Sequence, residues 1–179
     1  MGVVPYDPDW PRRFEDERVA LERVLAPWLQ DGIHHVGSTA VPRLAAKPII
    51  DMIAGVRDLE EARAAFEPLR ELSYQYTPHR PRAHCFHKPE SLGWWEQTHH
   101  LHLTEPGSDL WLERLAFRDA LRADSALAAE YEAWKLEHVQ APGSPGAYVA
   151  DKRPFVTQVL AAVGVDLPAV SPRGSSASR

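Results

Sequence analysis

A chain of 179 residues, 44% of them hydrophobic, is long enough to bury one substantial core and too short for two comfortable domains. Its net charge of -5 and pI near 6.0 exclude a surface built for indiscriminate nucleic-acid binding, so any bound anion must meet a local basic cluster. The one cysteine, Cys85, leaves no internal disulfide and no paired-Cys zinc site, as suits a reducing cytoplasm.

The opening "MGVVPYDPDWPRRFEDER" is acidic and proline-bearing where a signal peptide needs an apolar run. Tyr6 stands where a myristoylation signal has Ser or Thr, and no later apolar run is long enough to cross a bilayer. A soluble, cytoplasmic protein without membrane partners is expected. In "WPRRFEDERVALERVLAPWL", Trp10, Phe14, Leu21, Val24, Leu25 and Trp28 recur at helical spacing, which predicts a first amphipathic helix interrupted near Pro27. "GIHHVG" reads as a brief strand and "STAVPRLAAK" as a loop or short helix. "PIIDMIAGV" reads as a second strand, apolar enough to be central. "LEEARAAFEPLREL" predicts the next helix, with Leu59, Ala62, Phe66, Leu69 and Leu72 on one stripe. Short strands are expected in residues 74–95, with "AHCFHK" the better candidate, and another in "QTHHLHLTE". From Ser108 the pattern is helical: "DLWLERLAFRDALRA", "SALAAEYEAWKLEHVQ" and, after a Pro-Gly break, "PGAYVADKRPFVTQVLAAVG". The expectation is an α/β (α+β) domain over residues 1–165, a mixed sheet with flanking helices and a helical C-terminal half, with 166–179 a flexible tail.

Strand alternation places Ile49, Asp51 and Ile53 on one face of "PIIDMIAG". Asp51 is a lone carboxylate in an apolar strand, either a site residue or an acid that caps a turn or pairs with an Arg. The same alternation groups Thr98, His100, His102 and Thr104, opposite His99, Leu101 and Leu103. Two imidazoles on one face, with His84 and His87 in the neighbouring candidate strand, suit one ion or one phosphate. If the two strands are neighbours, Asp51, His100 and His102 converge.

In "HVGSTAVPRLAAKP", Gly37 lets the backbone turn sharply, Ser38 and Thr39 offer N-H and hydroxyl donors, and Lys47 returns just before the Asp strand. The segment lacks the second Gly and the Lys-Ser/Thr of a Walker loop, so taken alone it reads better as a plain turn with Lys47 a solvated cation. Arg118 and Arg122 lie one helical turn apart, as do Tyr148 and Lys152, and Lys135 sits between Trp134 and Leu136. Each is either a phosphate contact or an ordinary solvated helix residue. No G-x-S-x-G is present, and the neighbours His84 and Cys85 point to opposite faces of a strand, which argues against thiol catalysis. Trp94 and Trp95 precede the His strand, as a pocket floor or as loop anchors.

Together "VVPYDPDWPRRFEDE", "HHVGSTAVPRLAAKPIIDM", "HHLHL", "FRDALR", "EYEAWK" and "YVADKRPFV" resemble the GrpB family of the nucleotidyltransferase-fold superfamily. The resemblance implies that Gly37-Ser38 matches that superfamily's triphosphate-holding Gly-Ser and Asp51 its first metal-binding acid. The second acid of the pattern falls at residue 53, which is Ile53, and the His100/His102 pair stands where the third acid would lie. Imidazole suits Zn²⁺, Mn²⁺ or a phosphate more than Mg²⁺. The implied activity is transfer from a nucleoside triphosphate, ATP first, to a small polar acceptor, with Mg²⁺, Mn²⁺ or Zn²⁺. In it Asp51, His100 and His102 are catalytic and metal-binding, while Gly37, Ser38, Thr39, Lys47, Arg118, Lys135, Tyr148 and Lys152 hold the nucleotide. Two alternatives stay open: a nucleotide or metabolite binding module that has lost turnover, and a metal-dependent phosphoesterase.

Overall fold

The computed structural model describes residues 2–78, 80–89, 97–139 and 145–166, with Val139 and 145–151 described by backbone alone. Trp94, Trp95 and the expected tail beyond residue 166 lie outside the described residues. The fold is mixed α/β, with a five-stranded sheet and five α-helices among the described residues.

Helix α1, Trp10–Leu25, turns its Trp10, Phe14, Leu21 and Leu25 inward and stops at Ala26, because Pro27 has no N-H to continue the ladder. Strand β1, Leu29–Val36, begins three residues before the expected "GIHHVG". Gly32, at φ 65, lets the strand carry an irregularity between Leu29 and Ile33 and still resume pairing. Strand β2, Ile50–Val56, is as central as its apolar run predicts. The helix expected over 59–72 is instead a 3₁₀ turn, Glu61–Ala65, followed by the short α2, Phe66–Glu71. Pro68 cannot donate to the Ala64 carbonyl, so the α-helical ladder cannot run through that point.

Strands β3, Gln75–Tyr76, β4, His84–Lys88, and β5, His99–Thr104, complete the sheet in the order β1-β2-β5-β4-β3. Only β2 and β5 run parallel, with Asp51 opposite His100 and Ile53 opposite His102. One sheet face packs Ile50, Met52, Ala54, Leu101, Leu103 and Phe86 against α1 and Leu69 of α2. The other carries Val36, Ile53 and Cys85 beneath Leu110 and Trp111 of α3, Asp109–Ala123. Helices α4, Ser125–Val139, and α5, Pro145–Ala162, join α3 and the loop residues Val41 and Leu44 in a separate apolar cluster around Phe117 and Tyr131. The polar positions of this second sheet face, Asp51, His100 and His102, are therefore left between sheet and helical half.

Candidate active site

The parallel register of β2 and β5 sets two side chains of one face side by side, and His100 Nδ1 meets Asp51 Oδ1 at 2.9 Å. His100 Nε2 meets Gln97 Oε1 at 2.7 Å, so a Gln97-His100-Asp51 chain runs across the mouth of β2. Burial pushes Asp51 toward its neutral form, but the His100 hydrogen bond and the neighbouring His100, Arg114 and His102 outweigh it and hold the carboxyl at about 2. Asp51 is an anion at neutral pH, with 29% of its side-chain surface still open.

Gly37 follows β1 directly and has φ 73 and ψ -172, a conformation other residues avoid. A Cβ on it would lie 2.4 Å from Asp51 Oδ2, so the turn passes against the carboxylate only because residue 37 has no side chain. Thr39 gives its hydroxyl hydrogen to the Ile49 carbonyl at 2.9 Å and therefore accepts from His35 Nε2 at 3.0 Å. Tyr131 of α4 hydrogen-bonds Ser38. The Gly-Ser-Thr turn is thus pinned from β1, β2 and α4.

A group of cations faces this turn and carboxylate, and the sequence reading named only one of them, Lys152. Its ammonium lies 5.0 Å from the ring centres of Phe117 and Tyr131, and burial, then the charge of Arg114, lowers its pKa to about 8 despite the attraction of Asp51. The charge of Arg114 of α3 is felt by Asp51, His102, Tyr131, Lys152, Cys85 and Arg80 alike, and Glu113 beside it attracts Lys152 and Arg80. The Arg114 Nε is buried with no hydrogen-bond partner among the described residues. A buried donor left unmade costs about 1–3 kcal/mol, more when charged, which makes this atom a candidate contact for a ligand oxygen. The available signal was spacing: Arg114, Arg118 and Arg122 recur every four residues on one helix. Arg80 and Gln97 carry no such signal, since both lie in irregular chain.

The remaining expected residues are distributed unevenly. Among the nine histidines, His102 shares the face of His100, yet its Nδ1 meets Cys85 Sγ at 3.2 Å, and burial lowers its pKa well below the ordinary value. His84 lies on the opposite face and bonds the Leu59 carbonyl; His87 bonds Thr77 and Gln75. Lys135 is buried, with Nζ on the Ala45 carbonyl beside the Tyr131 ring, so it clamps the loop before β2. Arg118 donates to the His35 carbonyl at 3.1 Å and pairs with Asp119. Lys47 is half-buried, and burial lowers its pKa. Tyr148 lies on α5, but its side chain is outside the described residues. Ile53, at the position of the second acid, is fully buried under Leu110 and Trp111. Among the described residues no three His, Cys, Asp or Glu side chains gather as a metal-ligand set. For a cation accompanying a phosphate ligand the fit extends to one carboxylate, Asp51.

The Cys85-His102 contact resembles a thiol-imidazole dyad across strands that sequence adjacency could not reveal. Burial raises the Cys85 thiol to about 11, so the sulfur is a neutral donor that fixes the His102 ring, not a nucleophile. Iodoacetamide at pH 8 is expected to leave Cys85 unmodified in the folded protein and to alkylate it fully in denaturant, read by intact mass. Rapid native labelling would contradict this assignment.

Residues 1–162 match the family described as GrpB protein. A Bacillus subtilis relative, the UPF0157 protein YqkA, is 34% identical over 87% of this chain but 45% of its own length, so the chain spans less than half of that protein. The crystal structure of GrpB from Enterococcus faecalis superposes with a TM-score of 0.79 at 31% identity, covering 90% of this chain and 99% of that one. Cid1 poly(U) polymerase, at TM-score 0.48 and 12% identity over 70% of this chain and 41% of its own, is too remote to speak to chemistry. By its match over nearly the whole described length, the chain belongs to the GrpB family.

Proposed function

We propose that the hollow binds a nucleoside triphosphate, ATP first, and that the protein is a nucleotidyltransferase-type enzyme acting on a small polar acceptor. The observation that carries this reading is the buried Arg114 Nε, without a hydrogen-bond partner among the described residues, near Lys152 and Arg80 and close to the Asp51 carboxylate and its glycine turn. Three cations, Arg114, Lys152 and Arg80, against two carboxylates, Asp51 and Glu113, leave a positive excess that suits a polyphosphate, whose oxygens accept charge-assisted hydrogen bonds from guanidinium and ammonium groups. In the transfer, an acceptor oxygen or nitrogen attacks the α-phosphorus, the bond to the β-phosphate bridge breaks, pyrophosphate leaves and the acceptor's proton is released. A carboxyl held at about 2 is a poor proton store, so Asp51 orients the nucleophile or holds a cation rather than keeping that proton. A divalent cation brought in on the phosphates would neutralise part of their charge there. His100 keeps Asp51 in place, and Gln97 keeps His100 in place.

Calorimetry with ATP, with and without Mg²⁺ or Mn²⁺, tests the reading. Saturable binding is expected, weakened at least about tenfold in Arg114→Gln, since a charge-assisted contact is worth roughly 1.5–3 kcal/mol. No binding by the wild type, or equal binding by the variant, would overturn it. Ile53 favours the second reading, a binding module without turnover, which predicts ATP binding but no pyrophosphate from any alcohol, amine or acid acceptor.

A further inference from the structure

Away from the Asp51 hollow, a cleft of about 380 Å³ opens along the free edge of β1, between α1 and α3. That volume lies within the roughly 300–1,000 Å³ of small-molecule sites. Helix α1 contributes Phe14, Glu15 and Arg18, α3 contributes Arg118 and Arg122, and β1 contributes His35. The charges are not evenly matched. Arg18 is held by Glu15 at 2.8 Å and by Glu22, and Arg118 by Asp119 at 2.7 Å. Arg122 gives its Nε hydrogen to the Ala40 carbonyl at 2.8 Å, and no carboxylate bonds it among the described residues. The His35 ring stacks on Phe14 at 4.8 Å and has spent its Nε2 hydrogen on Thr39, leaving an aromatic wall beside the guanidinium.

Both α3 arginines also grip the main chain on either side of the Gly-Ser-Thr turn: Arg118 at the His35 carbonyl, Arg122 at the Ala40 carbonyl. Their side chains therefore belong to the cleft at one end and to the turn at the other. We propose that this cleft is a second binding site, for a small molecule carrying a carboxylate or phosphate group, and that its occupant locks the Gly37–Thr39 turn through Arg118 and Arg122. An oxyanion on Arg122 meets the planar fork of a cation that no carboxylate bonds among the described residues, and holding that fork restricts the carbonyl it grips. The cleft is separate from the hollow, so its binding does not depend on the nucleotide reading.

The test titrates inorganic phosphate and, separately, citrate into the full chain, following the Arg122 Nε-H and His35 ring resonances by NMR. A saturable shift with phosphate identifies a phosphate-bearing ligand, and one with citrate a carboxylate; either supports the site. Arg122→Gln is expected to weaken that response at least about tenfold. Arg18→Glu, on an outer turn of α1 and remote from the Ala40 carbonyl, is expected to weaken it too, and decides the matter if the first variant does not fold. The Ala40 and Val41 amides, bonded to Gly37 and Ser38 carbonyls, are expected to exchange at least about fivefold more slowly when the anion is bound. Absence of any saturable response, or shifts confined to Arg114 and His102, would overturn the site. Unchanged exchange would overturn the locking.

Discussion

Gly37→Ala is expected to lower the melting temperature by roughly 4–10 °C and to abolish nucleotide binding. Two independent causes act at this position. The backbone at φ 73 and ψ -172 lies in a region nearly closed to side-chain-bearing residues, at a cost of about 1–3 kcal/mol. The new methyl would also stand 2.4 Å from Asp51 Oδ2 and 3.0 Å from Asp51 Cβ, so the carboxylate must leave His100 or the turn must swing away. Either movement separates the turn from the acid it faces. Gly32 is the control, because it has φ 65 in β1 but nothing within 4 Å of an added Cβ. Gly32→Ala is expected to lose stability from the backbone term alone and to bind ATP normally. Thermal melts followed by circular dichroism, with ATP calorimetry on both variants, check the pair. Equal binding by the two would show that contact with Asp51 is not what residue 37 protects.

The sheet was legible in the sequence wherever one residue type dominated a face. "PIIDMIAGV" is apolar on both faces and lies centrally as β2, and "QTHHLHLTE" contains β5 within one or two residues of each end. Alternation also put His100 and His102 on Asp51's face correctly, because a period of two is a property of the backbone. What alternation cannot supply is the partner across the strand. His102 was grouped with His100 for one ion, yet the antiparallel register with β4 sets Cys85 against it, and that register is fixed by pairing remote in sequence. The helix expected over 59–72 was misjudged for a local reason, one missing N-H at Pro68. The basic residues were the least legible. Lys135 stands out by its place at an apolar edge and Arg118 by its one-turn spacing from Arg122, and in the folded protein both donate to main-chain carbonyls, at the loop before β2 and at the end of β1. Nothing in the immediate neighbours of Arg114 marks it as a site residue, although it completes an every-fourth-residue stripe with Arg118 and Arg122. A helix displays such a stripe in any context; which end of it faces a hollow depends on the packing of α3 across Val36 and Ile53.

The charge balance of the hollow makes Asp51→Asn the sharper probe. The amide oxygen still accepts from His100 Nδ1, so the shape is kept while the negative charge next to His100, Arg114, His102 and Lys152 is removed. Asp51 titrates at about 2 in the folded protein against an ordinary 3.8, so its contribution is fully present above 3.8 and is lost as the pH falls through 2. That difference corresponds to about 2 kcal/mol at pH 7. Denaturant melts are expected to show the variant weaker by about that amount at pH 7 and nearly level with the wild type once the pH is below 2. A gap of the same size at both pH values would mean that packing, not charge, accounts for the loss. For the ligand the sign reverses: a polyphosphate no longer meets a carboxylate, so ATP is expected to bind Asp51→Asn as tightly as the wild type or more so. Pyrophosphate release with a competent acceptor is expected to fall about 100-fold or more, the scale seen when one preorganised polar group is taken from a reacting centre. Retained affinity with lost turnover separates a group that acts on the transferring phosphate from one that merely holds the site open. A parallel fall in both would assign Asp51 to the architecture of the site and not to the transfer itself.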